Sequence, residues 1–153
     1  MMPGDYLYTT DPSGELAPAD GYDAQGVVCY VYTSPRANAI PFYRWFHEAN
    51  GLHFYTTDPN GEKAPASGYH SEDVGFYVLA TAGENTVPLY RWFHSKVGCH
   101  YYTTDPDDKA SPDSGFIPQG IVCHVYANQQ PSSVAVFRWL LSNPPAVAMA
   151  GDR

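Results

Sequence analysis

Charge is scarce in this chain of 153 residues: 16% are Asp, Glu, Lys or Arg, and bases are the scarcer half, eight against sixteen acids. The formal net charge of −8 repels phosphate backbones and anionic lipid, so nucleic-acid and membrane-surface partners are disfavoured at the outset. The five arginines do not cluster, which removes a local basic patch as well. No apolar run approaches the roughly 20 residues of a membrane-spanning helix, so no membrane insertion is expected. Met1-Met2-Pro3-Gly4-Asp5 lacks the basic and apolar regions of a signal peptide. The expected location is therefore cytoplasmic, or secreted without a standard signal peptide. Cysteine is sparse too. Three cysteines make no disulfide framework. Cys29 and Cys123 fall in strand-like runs, and free, buried thiols are favoured there over a bridge between them.

What the chain has in quantity is aromatic and turn-forming. Thirteen tyrosines, with abundant Thr, Val, Gly and Pro, favour strands and turns over helices. A chain of this length buries about 70% of its unfolded surface, enough for one domain over residues 1–153 without staples.

The sequence repeats. Thr-Thr-Asp-Pro begins at Thr9, Thr56 and Thr103, each 47 residues after the last. Gly21, Gly68 and Gly115 keep the same spacing, as do Tyr22, Tyr69 and Phe116. Arg44, Arg91 and Arg138 follow suit, beside Trp45, Trp92 and Trp139. Each unit reads as a strand ending in Thr-Thr-Asp-Pro, a Pro-bearing irregular stretch (13–20, 60–67, 107–114) and a second, apolar strand (26–32, 73–79, 120–126). A variable polar loop and a Tyr/Phe-Arg-Trp strand complete it. The apolar strand is expected to be covered on both faces. Units span about 8–54, 55–101 and 102–141, the last closed by residues 5–10, with 142–153 as a tail. Because the chain starts on one half of a hairpin and ends on the other, residues 6–10 should pair with 137–141. The expected fold is all-β: a closed pseudo-threefold array of three 47-residue repeats, three-bladed-propeller-like, its terminal strands closing the ring. A β-trefoil is the alternative, although it normally takes four strands per unit.

The recurring arginines are read as structural, with their planar forks suited to Asp11, Asp58 or Asp105 on facing strands. The tryptophans suit either a core or a sugar-stacking face. The histidines do not recur in all three units. His47 and His53 flank one hairpin turn and His94 and His100 the next, while the third hairpin has Leu141 and Tyr6. A folding residue should recur and a site residue need not, so each pair, expected side by side across its strands, marks a candidate polar site. Two histidines supply half of a zinc site, so no metal is expected, nor any cofactor. No Ser-His-Asp signature, phosphate loop or metalloprotease helix appears. A glycosidase-like carboxylate pair is the weaker, enzymatic option. Features repeated across units suit multivalent binding better than a single reaction centre.

Tyr-Arg-Trp/Leu, a short turn and then His-Phe-Tyr-Thr-Thr, clearest at Tyr43–Pro59 and Tyr90–Pro106, resembles a repeat family of secreted and cell-surface proteins in bacteria and fungi. The likeness covers residues 5–141 and includes Gln25-Gly26-Val27, Glu72-Asp73-Val74 and Gln119-Gly120-Ile121. The family's helix-like segment after Thr-Thr is replaced here by Pro-rich stretches. The resemblance implies recognition of polysaccharide, and a free-standing acidic protein of this kind looks like a lectin of fungal type. Sugar sites join a flat aromatic to hydrogen-bonding side chains. The residues in this pattern are Trp45, His47, Asn50, His53 and Asp58 at one hairpin and Trp92, His94, His100 and Asp105 at another, with Glu72 and Gln119 as walls. The competing function is a protein-binding inhibitor, for example of proteases, that uses the variable loops at 34–39 and 83–86.

Overall fold

The structure, a computed structural model, describes residues 2–107 and 115–143. It is all-β. Nine strands follow in order among the described residues: β1 (Met2–Thr9), β2 (Asp23–Val31), β3 (Ala39–His47), β4 (Leu52–Thr56), β5 (His70–Leu79), β6 (Thr86–His94), β7 (His100–Thr103), β8 (Phe116–Tyr126) and β9 (Val134–Asn143). One 3-10 turn, Pro65–Ser67, interrupts them, and the described residues hold no α-helix. Of the Pro-bearing stretches, 108–114 lies outside the described residues.

All pairing is antiparallel, in three groups of three: β1-β9-β2, β4-β3-β5 and β7-β6-β8. Tyr30↔Tyr126 and Leu79↔His124 join the groups into one nine-stranded sheet, with a further bridge Tyr32↔Tyr77. Among the described residues it is open as a hydrogen-bonded sheet, with β1, β4 and β7 each paired on one side only. β1 and β9 pair: Tyr6 lies opposite Leu140, Tyr8 opposite Arg138 and Thr9 opposite Phe137. β9 runs past Leu141 through Ser142 and Asn143, opposite Pro3 and Met2, so the expected tail is strand at its start. Its remainder, 144–153, lies outside the described residues.

The Thr-Thr-Asp-Pro turns are built by side chains. Thr9, Thr56 and Thr103 each accept through Oγ1 from the N–H of the aspartate two residues on, at 3.1 Å. Asp58 then accepts from the N–H groups of Asn60 and Glu62, as Asp11 does from Ser13 and Glu15, which closes an Asx turn. Gly61, at φ 76°, ends up under the Trp45 indole; a Cβ there would lie 2.6 Å from the ring.

The three singly paired strands are tied to one another by tyrosines. The Tyr55 hydroxyl accepts from Tyr8 N at 2.9 Å and donates to Tyr8 O at 2.9 Å. Tyr102 does the same to the backbone of Tyr55, both at 2.7 Å, and Tyr8 to the backbone of Tyr102, at 2.7 and 3.1 Å. The rings meet edge to face with centroids 5.2–5.6 Å apart. Around them pack Val31, Phe42, Phe76, Val78, Val125 and Val136.

The expectation that the apolar strand is covered on both faces is corrected. Val27 is 49% and Ile121 54% exposed, whereas Cys29, Val31, Cys123 and Val125 are buried. β2, β5 and β8 are the outer strands of their groups. Register shifts in each, next to Gly26, Asp73 and Gly120 at positive φ, turn their first halves away from the core. The three cysteines are buried, and none is in a disulfide. Burial pushes the Cys29 thiol up to about 12.

Candidate functional site

A cleft of about 800 Å³ opens where the β4-β3-β5 group meets the β7-β6-β8 group. From the first group and its turns come His47, Asn50, Leu52, Phe54, Asp58 and Tyr69, with Glu62 and Lys63. From the second group and its hairpin turn come Arg91, Phe93, Val97, His100 and Gln119. His47, at the end of β3, stands edge-on to Tyr69 at 5.1 Å and accepts through Nδ1 from Asn50 N, which leaves Nε2 protonated as a donor. The left-handed Gly68 (φ 97°) makes room for that ring: a Cβ there would meet His47 Nε2 at 2.8 Å.

Arg91 organises the floor. Its guanidinium donates bidentately to Glu62 at 2.9 and 3.0 Å, to Gln119 Oε1 at 2.7 Å and to Tyr55 O at 3.3 Å, and lies 4.8 Å above the Phe54 ring. Arg44 repeats the pattern with Glu15 and Glu72. Arg138 donates to Gln25 Oε1 and Tyr102 O and lies 4.6 Å over Tyr101. The sequence expectation of Asp11, Asp58 or Asp105 as arginine partners is therefore corrected. Turn N–H groups occupy the short aspartates, and the longer Glu15 and Glu62 reach the guanidinium. Burial works to raise the Glu62 carboxyl, but hydrogen bonds from Arg91 and Thr56 and the charge of Arg91 outweigh it and hold it below the usual carboxylate range. Glu15 is lowered in the same way by Arg44 and Thr9.

His100, only 8% exposed, lies against Phe54 and Phe93 with ring centroids at 4.7 and 5.2 Å. Burial first, and then the charge of Arg91, push it down to about 3, so it is neutral. Its Nδ1 is buried and has no hydrogen-bond partner among the described residues.

The histidine pairs are not side by side. Phe46 lies opposite His53 and His47 opposite Leu52, so the two histidines point to opposite faces of their hairpin; Phe93 opposite His100 does the same for His94. An offset of one residue reverses the face. His53 leaves for another interface, where its N and Nδ1 bond Asp5 at 2.7 and 2.6 Å and Nε2 lies 3.8 Å from Glu72. His94 is fully buried, edge-on to Phe116, with Nδ1 accepting from Lys96 N and Val97 N. Trp45 packs against Phe54 and Ala64, Trp92 is half-buried opposite Tyr101 and Pro118, and Asp105 holds its turn by accepting from Asp107 N. Of the residues singled out in the sequence, the cleft joins His47, Asn50, Asp58, Arg91, His100 and Gln119. It does not include Trp45, His53, Glu72, Trp92, His94 or Asp105. Sequence reasoning missed Phe54, Glu62, Tyr69 and Phe93. Glu15 and Glu62, and Tyr22 and Tyr69, do recur at the repeat spacing, which was the available signal. No group of three or more His, Cys, Asp or Glu among the described residues is placed to hold a metal ion.

A family model described as "Domain of unknown function (DUF5648)" matches residues 2–79 and again 62–146, a double match consistent with tandem repetition. No curated protein and no solved structure matches the chain.

Proposed function

The chain belongs to the DUF5648 family, and from the make-up of its cleft we propose that it is a carbohydrate-binding protein of lectin type. One observation carries the reading: apolar rings and hydrogen-bonding side chains face the same space. Phe93 and Tyr69 offer surfaces for the C–H face of a pyranose, and His47, Asn50, Lys63 and Gln119 surround them with donors for its hydroxyls. The volume lies within the roughly 300–1,000 Å³ of small-ligand sites. Asp58 and Glu62 balance Lys63 and Arg91, and both carboxylates already accept protein hydrogen bonds. The ligand is accordingly an uncharged sugar.

The same proposal includes the architecture. The three strand groups are the blades of a closed, pseudo-threefold, propeller-like ring, in preference to a trefoil. Support for it comes from the β1–β9 pairing and from the cyclic hydrogen bonds of Tyr8, Tyr55 and Tyr102 on the three inner strands. A second reading, the inhibitor, draws on the way the variable loops converge: Arg36, Asn38, Glu84, Asn85 and Gln130 surround one depression of about 480 Å³.

A glycan array followed by calorimetry separates the two. Binding of neutral glycans is expected, weakened at least tenfold, about 1.4 kcal/mol, by Phe93→Ala and by His47→Ala. An array with no neutral-glycan signal, or binding that survives both changes, rejects the cleft as a sugar site. Inhibition of a protease by an array-silent protein selects the loops.

A further inference from the structure

Positions 5, 22 and 53 recur 47 residues on as 52, 69 and 100, and the third set, closed by the chain ends, is 99, 116 and 6. Each set meets where two units join, and the three sets differ in chemistry. In the first, Asp5 is fully buried and accepts from Tyr22 Oη at 2.6 Å, His53 N at 2.7 Å and His53 Nδ1 at 2.6 Å. Glu72 faces the other ring nitrogen of His53 and takes Arg44 Nε. In the third, Cys99 and Tyr6 are fully buried and the Tyr6 ring packs 6.4 Å from Phe116. In the second, Leu52 stands where Asp5 would, and a leucine accepts nothing. The Tyr69 hydroxyl finds no hydrogen-bond partner among the described residues, and neither does His100 Nδ1. Both residues line the cleft.

We infer that the chain has one working ligand cleft rather than three equivalent ones, and that the residue at position 52 keeps it open. An acid in that place latches tyrosine to histidine across the junction, as at Asp5. Leucine leaves the Tyr69 hydroxyl for the sugar and the buried His100 Nδ1 without a latch. Repetition supplies the scaffold three times over, and the Asp5, Leu52 and Cys99 positions decide which copy binds. The inference rests on the carbohydrate reading for its ligand but not for its latch.

The test uses the full chain and two readouts. Acetylation by N-acetylimidazole, mapped by mass spectrometry, should modify Tyr69 at least tenfold faster than Tyr22, since both are half-buried and only Tyr22 is hydrogen-bonded. Calorimetry with the strongest array glycan should give one ligand per chain. Leu52→Asp should slow Tyr69 labelling to the rate of Tyr22 and weaken glycan binding at least tenfold; Asp5→Leu should release Tyr22. Equal labelling of Tyr22 and Tyr69 in the wild type overturns the latch, even if neither variant folds. Two or three glycans per chain overturn the single cleft. The labelling contrast with no glycan bound leaves the latch standing and rejects the carbohydrate reading alone.

Discussion

Burial keeps His100 neutral, and stability has to follow pH as a result. Its folded value of about 3 lies below the roughly 6.5 of an unfolded chain, so between these limits only the unfolded state binds the proton. Stability therefore falls as pH drops through that window, by up to about 1.4 kcal/mol per pH unit. The depressed carboxyls of Glu15 and Glu62 act lower down. Their contribution is present above an unfolded value of about 4.3 and is lost as pH falls through their folded values. Urea unfolding at pH 7, 5.5 and 4.5 should show the wild type weakening steadily and His100→Gln much less so. Equal slopes would remove His100 as the cause. At this scale the sequence was half legible. The recurrence of Arg44, Arg91 and Arg138 marked residues that organise each unit, but their acid partners were concealed because Asp11 and Asp58 were already committed to turn N–H groups. Glu62 becomes the partner only once its turn has formed.

Among the elements, the Thr-Thr-Asp-Pro turn and the hairpin after Tyr-Arg-Trp follow directly from residue type, and so does their antiparallel pairing. Two things did not follow. Which face a histidine takes depends on the pairing frame: Phe46 opposite His53, not His47 opposite His53. The open face of β2 and β8 depends on bulges that a run such as Val27-Val28-Cys29 does not reveal. The turn geometry gives a sharp contrast between two glycines. Gly61 and Gly26 have similar positive φ, 76° and 86°, but a Cβ strikes the Trp45 indole at the first and meets nothing within 4 Å at the second. Gly26→Ala should cost about 1 kcal/mol of left-handed strain, and Gly61→Ala about 2–4 kcal/mol once the displaced indole is included. Thermal melting of the two variants checks the order, and equal losses would show that the tryptophan moves freely.

For the whole molecule, the spacing of Tyr8, Tyr55 and Tyr102 was visible while their mutual bonding was not, since it joins residues 47 and 94 apart. Tyr55→Phe removes one hydroxyl and strands two buried backbone groups, the N–H and C=O of Tyr8. About 2–5 kcal/mol should be lost, well above a usual surface Tyr→Phe change, as read by chemical denaturation. A loss under 1 kcal/mol would mean that the cycle relaxes around the gap. The pairing of β1 with β9 has a consequence for the order of events in the cell. Tyr8 leaves the ribosome some 130 residues before Arg138, the partner opposite it. Contacts at such separation form slowly, after most of the loop-closure entropy has been lost. β1 is thus made long before the strand that pairs it. Until β9 has been made, the β9-facing edge of β1 is open, and a product that stops short of Phe137 never covers it.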